Sequence, residues 1–143
     1  MGYEFLEHTA DLKIRIEESS LDEAFKTAAM AIKQAMAENV SVAQKITRVV
    51  SVEGKDLQDL LYNFMEEFIF LLDADDFILA EVIDVEVNRD EEKNIWVLSS
   101  TIIGDNASSY RFSNDVKAIT FNEMKIEEDK EHEKVVIQFV LDV

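Results

Sequence analysis

The chain has 143 residues, the length of one ordinary domain, and 48% of them are hydrophobic, which excludes a disordered chain. Its 31 acidic and 14 basic residues give a formal net charge of −17. This charge repels phosphate backbones, so direct nucleic-acid binding is not expected, and it favours metal cations and basic protein surfaces as partners. The absence of cysteine excludes disulfides and thiolate-bound zinc.

The composition also predicts one cytoplasmic domain over residues 1–143. The N-terminus has neither the basic nor the apolar region of a signal peptide. The most apolar segment, Phe64–Leu72, is too short to cross a bilayer, so no membrane association is expected. Proline is absent and the three glycines are scattered, so no linker divides the chain.

The first half of the chain predicts three strands and two helices. Strands are expected at Tyr3–Glu7, at the alternating segment Leu12–Glu17, and at Val49–Glu53. Ser20 begins a capping-box pattern, and Asp56 is in position to cap a second helix. Each helix carries an apolar stripe at helical spacing, which we interpret as core. The stripes contain Leu21, Ala24, Phe25, Ala28 and Ile32 in the first helix, and Leu57, Leu60, Leu61, Phe64, Phe68, Leu71 and Leu72 in the second.

The next part of the chain predicts a β-hairpin. Ile83, Val85 and Val87 alternate with polar residues, which predicts that these three share the buried face of a strand. The charged run Arg89–Lys93 is then the turn, and Ile95–Ile103 is the second strand. Residues 104–116 are predicted to form a polar loop.

The last part predicts two more strands. The irregular pattern of Ala118–Ile126 indicates a bulged strand, and Glu127–Glu133 is a solvated turn. Val135–Leu141 is almost wholly apolar, which is typical of a central strand. The expected fold class is therefore α+β: a mainly antiparallel β-sheet structure with two helices packed on it.

Few motifs point to chemistry. There is no phosphate-binding or dinucleotide-binding glycine loop and no H-x-x-x-H zinc pair. Of the two histidines, His132 lies in an acidic turn and is expected to be an ordinary surface residue. His8 belongs to the polar segment Glu7–Asp11, which on spacing alone is best interpreted as a tight turn.

The C-terminal end of the chain is the second polar feature of interest. Asp142 falls on the opposite face of its strand from Leu141. If Val143 is the native terminus, its α-carboxylate lies next to Asp142, and the two anions repel each other unless a cation or donor group intervenes. With Asp11 beside them, they would form an all-oxygen site suited to Ca²⁺, Mg²⁺ or Mn²⁺. A frayed, solvated tail is the alternative, and spacing does not decide between the two.

Several segments together form a recognisable pattern: Tyr3-x-Phe5-x-Glu7-His8-Thr9-Ala10-Asp11, Ser20–Phe25 with Ala28-Ala29, Asp56–Leu61, Val116-Lys117-Ala118-Ile119-Thr120-Phe121, and Leu141-Asp142-Val143. In these segments, which occur in the same order, the chain resembles the archease family. Phe112 and Asn122 stand where histidines are common in the family, so no role is carried over to them.

The resemblance implies an accessory protein rather than an enzyme. Archeases promote guanylylation and multiple turnover of the RtcB-class GTP-dependent RNA ligase in tRNA splicing. The resemblance implies a divalent-cation site at Asp11, Asp142 and Val143. It also makes Glu7, His8 and Lys117 candidates for partner contact or support of the site.

Two other functions remain open at this point. One is a small metal-dependent enzyme, in which Asp11 and Asp142 hold a catalytic cation and Glu7 or His8 acts as general base. The other is a chaperone or scaffold with an incidental cation site. Ligase stimulation that depends on the acidic residues would distinguish the accessory role from both.

Overall fold

The computed structural model describes residues 2–6, 11–114 and 116–143. These residues form two α-helices, seven strands and one short 3-10 turn. In chain order the elements are β1 (Gly2–Leu6), β2 (Asp11–Glu18), α1 (Leu21–Met36), β3 (Ile46–Gly54), α2 (Leu57–Asp75), β4 (Phe77–Asp90), β5 (Ile95–Asn106), the 3-10 turn (Ala107–Ser109), β6 (Ala118–Asp129) and β7 (Lys134–Asp142).

The strands form two antiparallel sheets. The four-stranded sheet has the order β1-β2-β7-β6, and the three-stranded sheet has the order β3-β5-β4. Helix α1 contacts β2 and β4, while α2 contacts β3 and β6, so each helix packs against both sheets. One large hydrophobic cluster joins the helices to the two sheets. The predicted α+β class, with two helices on antiparallel sheet structure, is confirmed.

Both predicted helix starts are confirmed. The Ser20 hydroxyl accepts a hydrogen bond from the Glu23 amide at 3.2 Å, and Asp56 Oδ1 accepts one from the Asp59 amide at 2.8 Å. Each bond satisfies an amide that has no partner within its own helix. The apolar stripes then turn inward: Phe25 of α1 and Phe64 of α2 are fully buried and stack on each other.

Strand β7 is central, as its apolar sequence predicts. It pairs with β2 on one side and β6 on the other, and the alternating residues Val135, Ile137, Phe139 and Leu141 are buried. The predicted bulge in β6 is also present, because its pairing with β7 is interrupted between Thr120 and Lys125. Strand β7 therefore positions its last residue, Asp142, against the ends of two neighbouring strands.

Two predictions for the hairpin were wrong. Ile83 is 50% exposed and the adjacent Val82 is buried, because irregular pairing after Val82 shifts the alternation by one residue. The predicted loop at 104–116 starts too early, since β5 continues to Asn106 through pairing with the first residues of β4. Gly104 permits this close approach: a Cβ there would collide with the carbonyl oxygen of Ile78.

Neither α1 nor α2, the helices in the described ranges, is both long and apolar enough to cross a membrane.

Candidate functional site

Asp11 and Asp142 lie directly opposite each other at one end of the four-stranded sheet. Asp11 begins β2, Asp142 ends β7, and the two residues are register partners. Directly opposed residues of antiparallel strands project to the same face, with Cβ atoms roughly 5 Å apart. Because Leu141 is buried in the core, Asp142 points to the outer face, where it is exposed and Asp11 is partly exposed.

Lys117 approaches the same end of the sheet from β6. Ala118, the first residue of β6, is the register partner of Asp142 on the side away from β2. The Lys117 amide donates a hydrogen bond of 2.8 Å to the Asp142 carbonyl, and the Lys117 side chain is exposed. Val143 follows Asp142 and is 38% exposed. The structure therefore brings together four of the six candidate residues.

The predictions for Glu7, His8 and His132 have different outcomes. Glu7 and His8 lie outside the described residues, so their predicted roles stay predictions. His132 is a surface residue, as expected: its side chain is 70% exposed, and its ring nitrogen lies 2.7 Å from Asp129. It precedes the start of β7 and so lies at the opposite end of that strand from Asp142.

The opposed carboxylates have an electrostatic consequence. Like charges directly opposite each other across a strand pair destabilise it, and a cation between them removes the repulsion. Two carboxylates are the ligand type that hard divalent cations prefer. Residues 2–6, 11–114 and 116–143 contain no group of three or more His, Asp or Glu side chains arranged for a metal. Further ligands would come from the main chain or solvent.

Sequence reasoning missed an ion pair on the same sheet face. Lys13 lies two residues after Asp11, and its ammonium is 3.2 Å from Glu123 Oε1. Glu123 has a positive φ of 55° within the β6 bulge, and its carbonyl accepts a hydrogen bond from the Gln138 side chain. Alternation could have placed Lys13 beside Asp11, but only the bulge geometry brings Glu123 to it. The ion pair joins β2 to the β6 bulge across the outer face of the sheet.

Asp105 forms a separate polar cluster that is structural. It is 5% exposed, and the Tyr110 hydroxyl donates a hydrogen bond of 2.7 Å to it. This bond and one from the Asn106 amide lower the pKa of Asp105, and Lys45 contributes a smaller effect. The Tyr110 oxygen also accepts a bond from the Ala43 amide, so the cluster ties the segment after α1 to the end of β5.

The chain is similar to known proteins over nearly its whole length. The model of the archease protein family matches residues 3–143. The chain is 36% identical to protein archease of Pyrococcus abyssi over 127 residues, 87% of each chain. It is 34% identical to protein archease of Sulfurisphaera tokodaii over 143 residues, covering 99% of this chain and 98% of the relative. The solution structure of Methanobacterium thermoautotrophicum protein 1598 has a TM-score of 0.77 and 27% identity, covering 99% of both chains.

Proposed function

Because the chain belongs to the archease family, we propose that it is a cytoplasmic accessory protein of an RtcB-class RNA ligase. In this role it promotes guanylylation and multiple turnover of the ligase in tRNA splicing. It does so through a divalent cation held at Asp11, Asp142 and Val143. The ligase, not this chain, performs the joining chemistry.

The observation that carries the proposal is the register of β2 on β7. Asp11 and Asp142 are 131 positions apart in the sequence, yet they are opposed on one face of the sheet. A sheet that served stability alone would gain from a neutral or oppositely charged pair at this position. Retaining two carboxylates there is understandable if a cation is bound between them.

The residues around the acidic pair have separate tasks in this proposal. A bound divalent cation supplies positive charge that can stabilise anionic groups of the partner or its nucleotide. Asp11 and Asp142 bind the cation, and the hydrogen bond from the Lys117 amide fixes the backbone of Asp142. Glu123 binds the ammonium of Lys13, two residues after Asp11. The exposed Lys117 side chain contacts the partner.

The charge of the chain supports a protein partner rather than RNA. A net charge of −17 opposes the approach of a phosphate backbone and attracts the basic surface of an RNA-binding protein. Electrostatic attraction of this kind mainly raises the association rate. We therefore expect ligase stimulation to fall as the salt concentration rises.

The test measures ligase guanylylation and RNA joined per ligase, with and without this protein. Wild-type protein should allow many joining events per ligase molecule. Asp11→Ala should lower the stimulation by about tenfold or more, because loss of a ligand or its support costs that much cation affinity. Glu92→Gln is the matched control, since Glu92 is an exposed acid in the β4–β5 turn. It should stimulate within about twofold of wild type, a difference of less than ~0.5 kcal/mol.

Other outcomes would replace the proposal. If wild-type protein gives no stimulation of a matched ligase, the accessory role is wrong. If Asp11→Ala folds and stimulates fully, the chain is a scaffold whose cation site is incidental. Turnover of a substrate by the isolated chain, abolished by a chelator, would establish the metal-dependent enzyme instead.

A further inference from the structure

The outer face of α2 carries a half-buried and an exposed aromatic residue along one line. Tyr62, Glu66 and Phe70 are spaced four residues apart, so they follow one another along the helix surface. Phe70 is 54% exposed. At the other end of the line, Phe121 from the β6 bulge is 51% exposed and stacks on Tyr62, with ring centroids 4.3 Å apart and planes 7° from parallel. We call Phe121, Tyr62, Glu66 and Phe70 the aromatic stripe.

An acidic cleft lies beside the aromatic stripe, between α2 and β3. Its volume is about 460 Å³. Its lining combines apolar side chains with two carboxylates and an amide, and consists of Val52, Asn63, Glu66, Glu67, Ile69 and Phe70. Asn63 donates a hydrogen bond of 2.7 Å to the Glu53 carbonyl, which joins α2 to β3 beside the cleft.

The rings of Phe70 and Phe121 do not belong to the hydrophobic core. Phe64 and Phe68 on the inner face of α2 are buried and make an edge-to-face contact, whereas Phe70 and Phe121 present their rings to solvent. Clustered exposed aromatics with polar residues around them are typical of protein interfaces. Tyr62 contacts both kinds of group, because its ring stacks on Phe121 and its hydroxyl bonds to Glu66. Burial, the charge of Glu66 and this hydrogen bond raise the pKa of the Tyr62 hydroxyl.

We propose that the aromatic stripe and the adjoining cleft form the docking surface for a basic, arginine-containing segment of the partner ligase. This inference rests on the proposed function and deepens it. Arginine fits the surface because a guanidinium stacks on an aromatic ring while it pairs with a carboxylate, here Glu66 or Glu67. The apolar stem of the same side chain can lie on Phe70 and Val52.

One end of the aromatic stripe lies near the acidic pair along β6. Phe121 follows Ala118 by three residues in β6, and Ala118 is the register partner of Asp142. The rise of a strand places Phe121 about 10 Å from Ala118. Phe121 contacts α2 on the inner face of the four-stranded sheet, whereas Asp142 points to its outer face. Because β6 is the edge strand, a partner docked on the aromatic stripe can reach the acidic pair around that edge.

Two other occupants are disfavoured by charge. RNA would stack on the aromatic rings, but Glu66 and Glu67 would repel its phosphates. A second copy of this chain would bring another net charge of −17 to the same surface. A basic protein segment satisfies the aromatic and the acidic groups at once.

The test compares two double variants of the full chain in calorimetric binding to the ligase. Glu66→Gln with Phe70→Ala removes one acid and one exposed apolar side chain from the aromatic stripe. Glu86→Gln with Ile83→Ala likewise removes one acid and one exposed apolar side chain, but from the three-stranded sheet, where Glu86 is exposed and Ile83 is 50% exposed. Both variants have the same net charge, and both should fold, because exposed substitutions change stability little. Phe121→Ala tests the other end of the aromatic stripe.

We expect the stripe double variant to weaken ligase binding about 30-fold, the effect of losing one hot spot, and Phe121→Ala to weaken it about tenfold. The control should stay within about twofold of wild type. Equal losses in the two double variants, or no loss in either, would overturn the docking surface. RNA binding or dimer formation by wild type that disappears in the stripe variant would also overturn it.

The outcomes separate this inference from the proposed function. If wild type stimulates the ligase and the stripe double variant binds and stimulates equally, only the docking surface is wrong. If wild type neither binds nor stimulates the ligase, the accessory role is wrong and the docking surface falls with it.

Discussion

Replacing Asp142 by asparagine should have opposite effects on stability with and without a divalent cation. In the cation-free protein, Asp11 and Asp142 carry like charges at opposed positions. Two unit charges about 5 Å apart repel by ~0.8 kcal/mol at the dielectric constant of water. The exposed position of Asp142 makes this aqueous value the appropriate one. Asp142→Asn removes the repulsion and leaves the carbonyl that binds the Lys117 amide in place.

In the presence of a chelator, Asp142→Asn should therefore raise the free energy of unfolding by about 0.5–1 kcal/mol. For a domain of this size the melting temperature should rise by about 2–4 °C. Saturating cation should reverse the order. At a cation concentration 100 times its Kd, wild type gains about 2.7 kcal/mol, which the variant largely loses along with one ligand.

Thermal and urea unfolding, each with EDTA and with Ca²⁺, Mg²⁺ or Mn²⁺, measure both effects. Glu92→Gln is the control for removing one negative charge, and it should change stability by less than about 0.5 kcal/mol in either condition. The reasoning is refuted if Asp142→Asn is less stable than wild type in EDTA, or if it gains as much from the cation. The first result would mean that the opposed carboxylates do not destabilise the cation-free protein, and the second that Asp142 is not a ligand of the cation.

Three further predictions concern the scaffold. Ser20→Ala should lower the free energy of unfolding in urea by about 1 kcal/mol because α1 loses its cap, and an unchanged midpoint would contradict this. Gly104→Ala should cost roughly 1–3 kcal/mol because the new Cβ meets the Ile78 carbonyl oxygen, so a stability equal to wild type would show that β4 yields easily. The lowered pKa of Asp105 stabilises the fold above the ordinary pKa of 3.8, and this stabilisation is lost as the pH falls through the folded pKa. Tyr110→Phe removes the main cause of the shift, so its stability should fall less steeply in acid than that of wild type, as urea titrations at pH 5 to about pH 2 would show.

Local patterns predicted most of the elements in this chain. Ser20 and Asp56 marked the helix starts because a cap involves residues only three positions apart. The nearly continuous apolar run before Asp142 predicted a central strand, because such runs are typical of strands buried inside a fold. In the structure β7 pairs with a strand on each edge. The prediction that Ile83 is buried was wrong because irregular pairing depends on the partner strand. Alternation within one strand does not reveal such an irregularity.

The candidate site was only partly predictable. Motif resemblance selected Asp11, Asp142 and Lys117. On local sequence alone, a tight turn was the better interpretation of Glu7–Asp11, and a solvated tail stayed open as an interpretation of the C-terminal end. The register of β2 on β7 placed Asp11 opposite Asp142, and the pairing of β6 with β7 placed Lys117 beside them. The ion pair of Lys13 with Glu123 depended on the bulge and had no signal in the sequence.

The sequence by itself determined the fold class, the helix starts, the central strand and the acidic character of the surface, since these depend on composition and on residues close together in the chain. Only the tertiary structure decided the division into two sheets, the opposition of the two aspartates and the aromatic stripe shared by α2 and β6. Each of these joins segments that are far apart in sequence. Their relative positions are set by packing of the whole core, which no local pattern encodes.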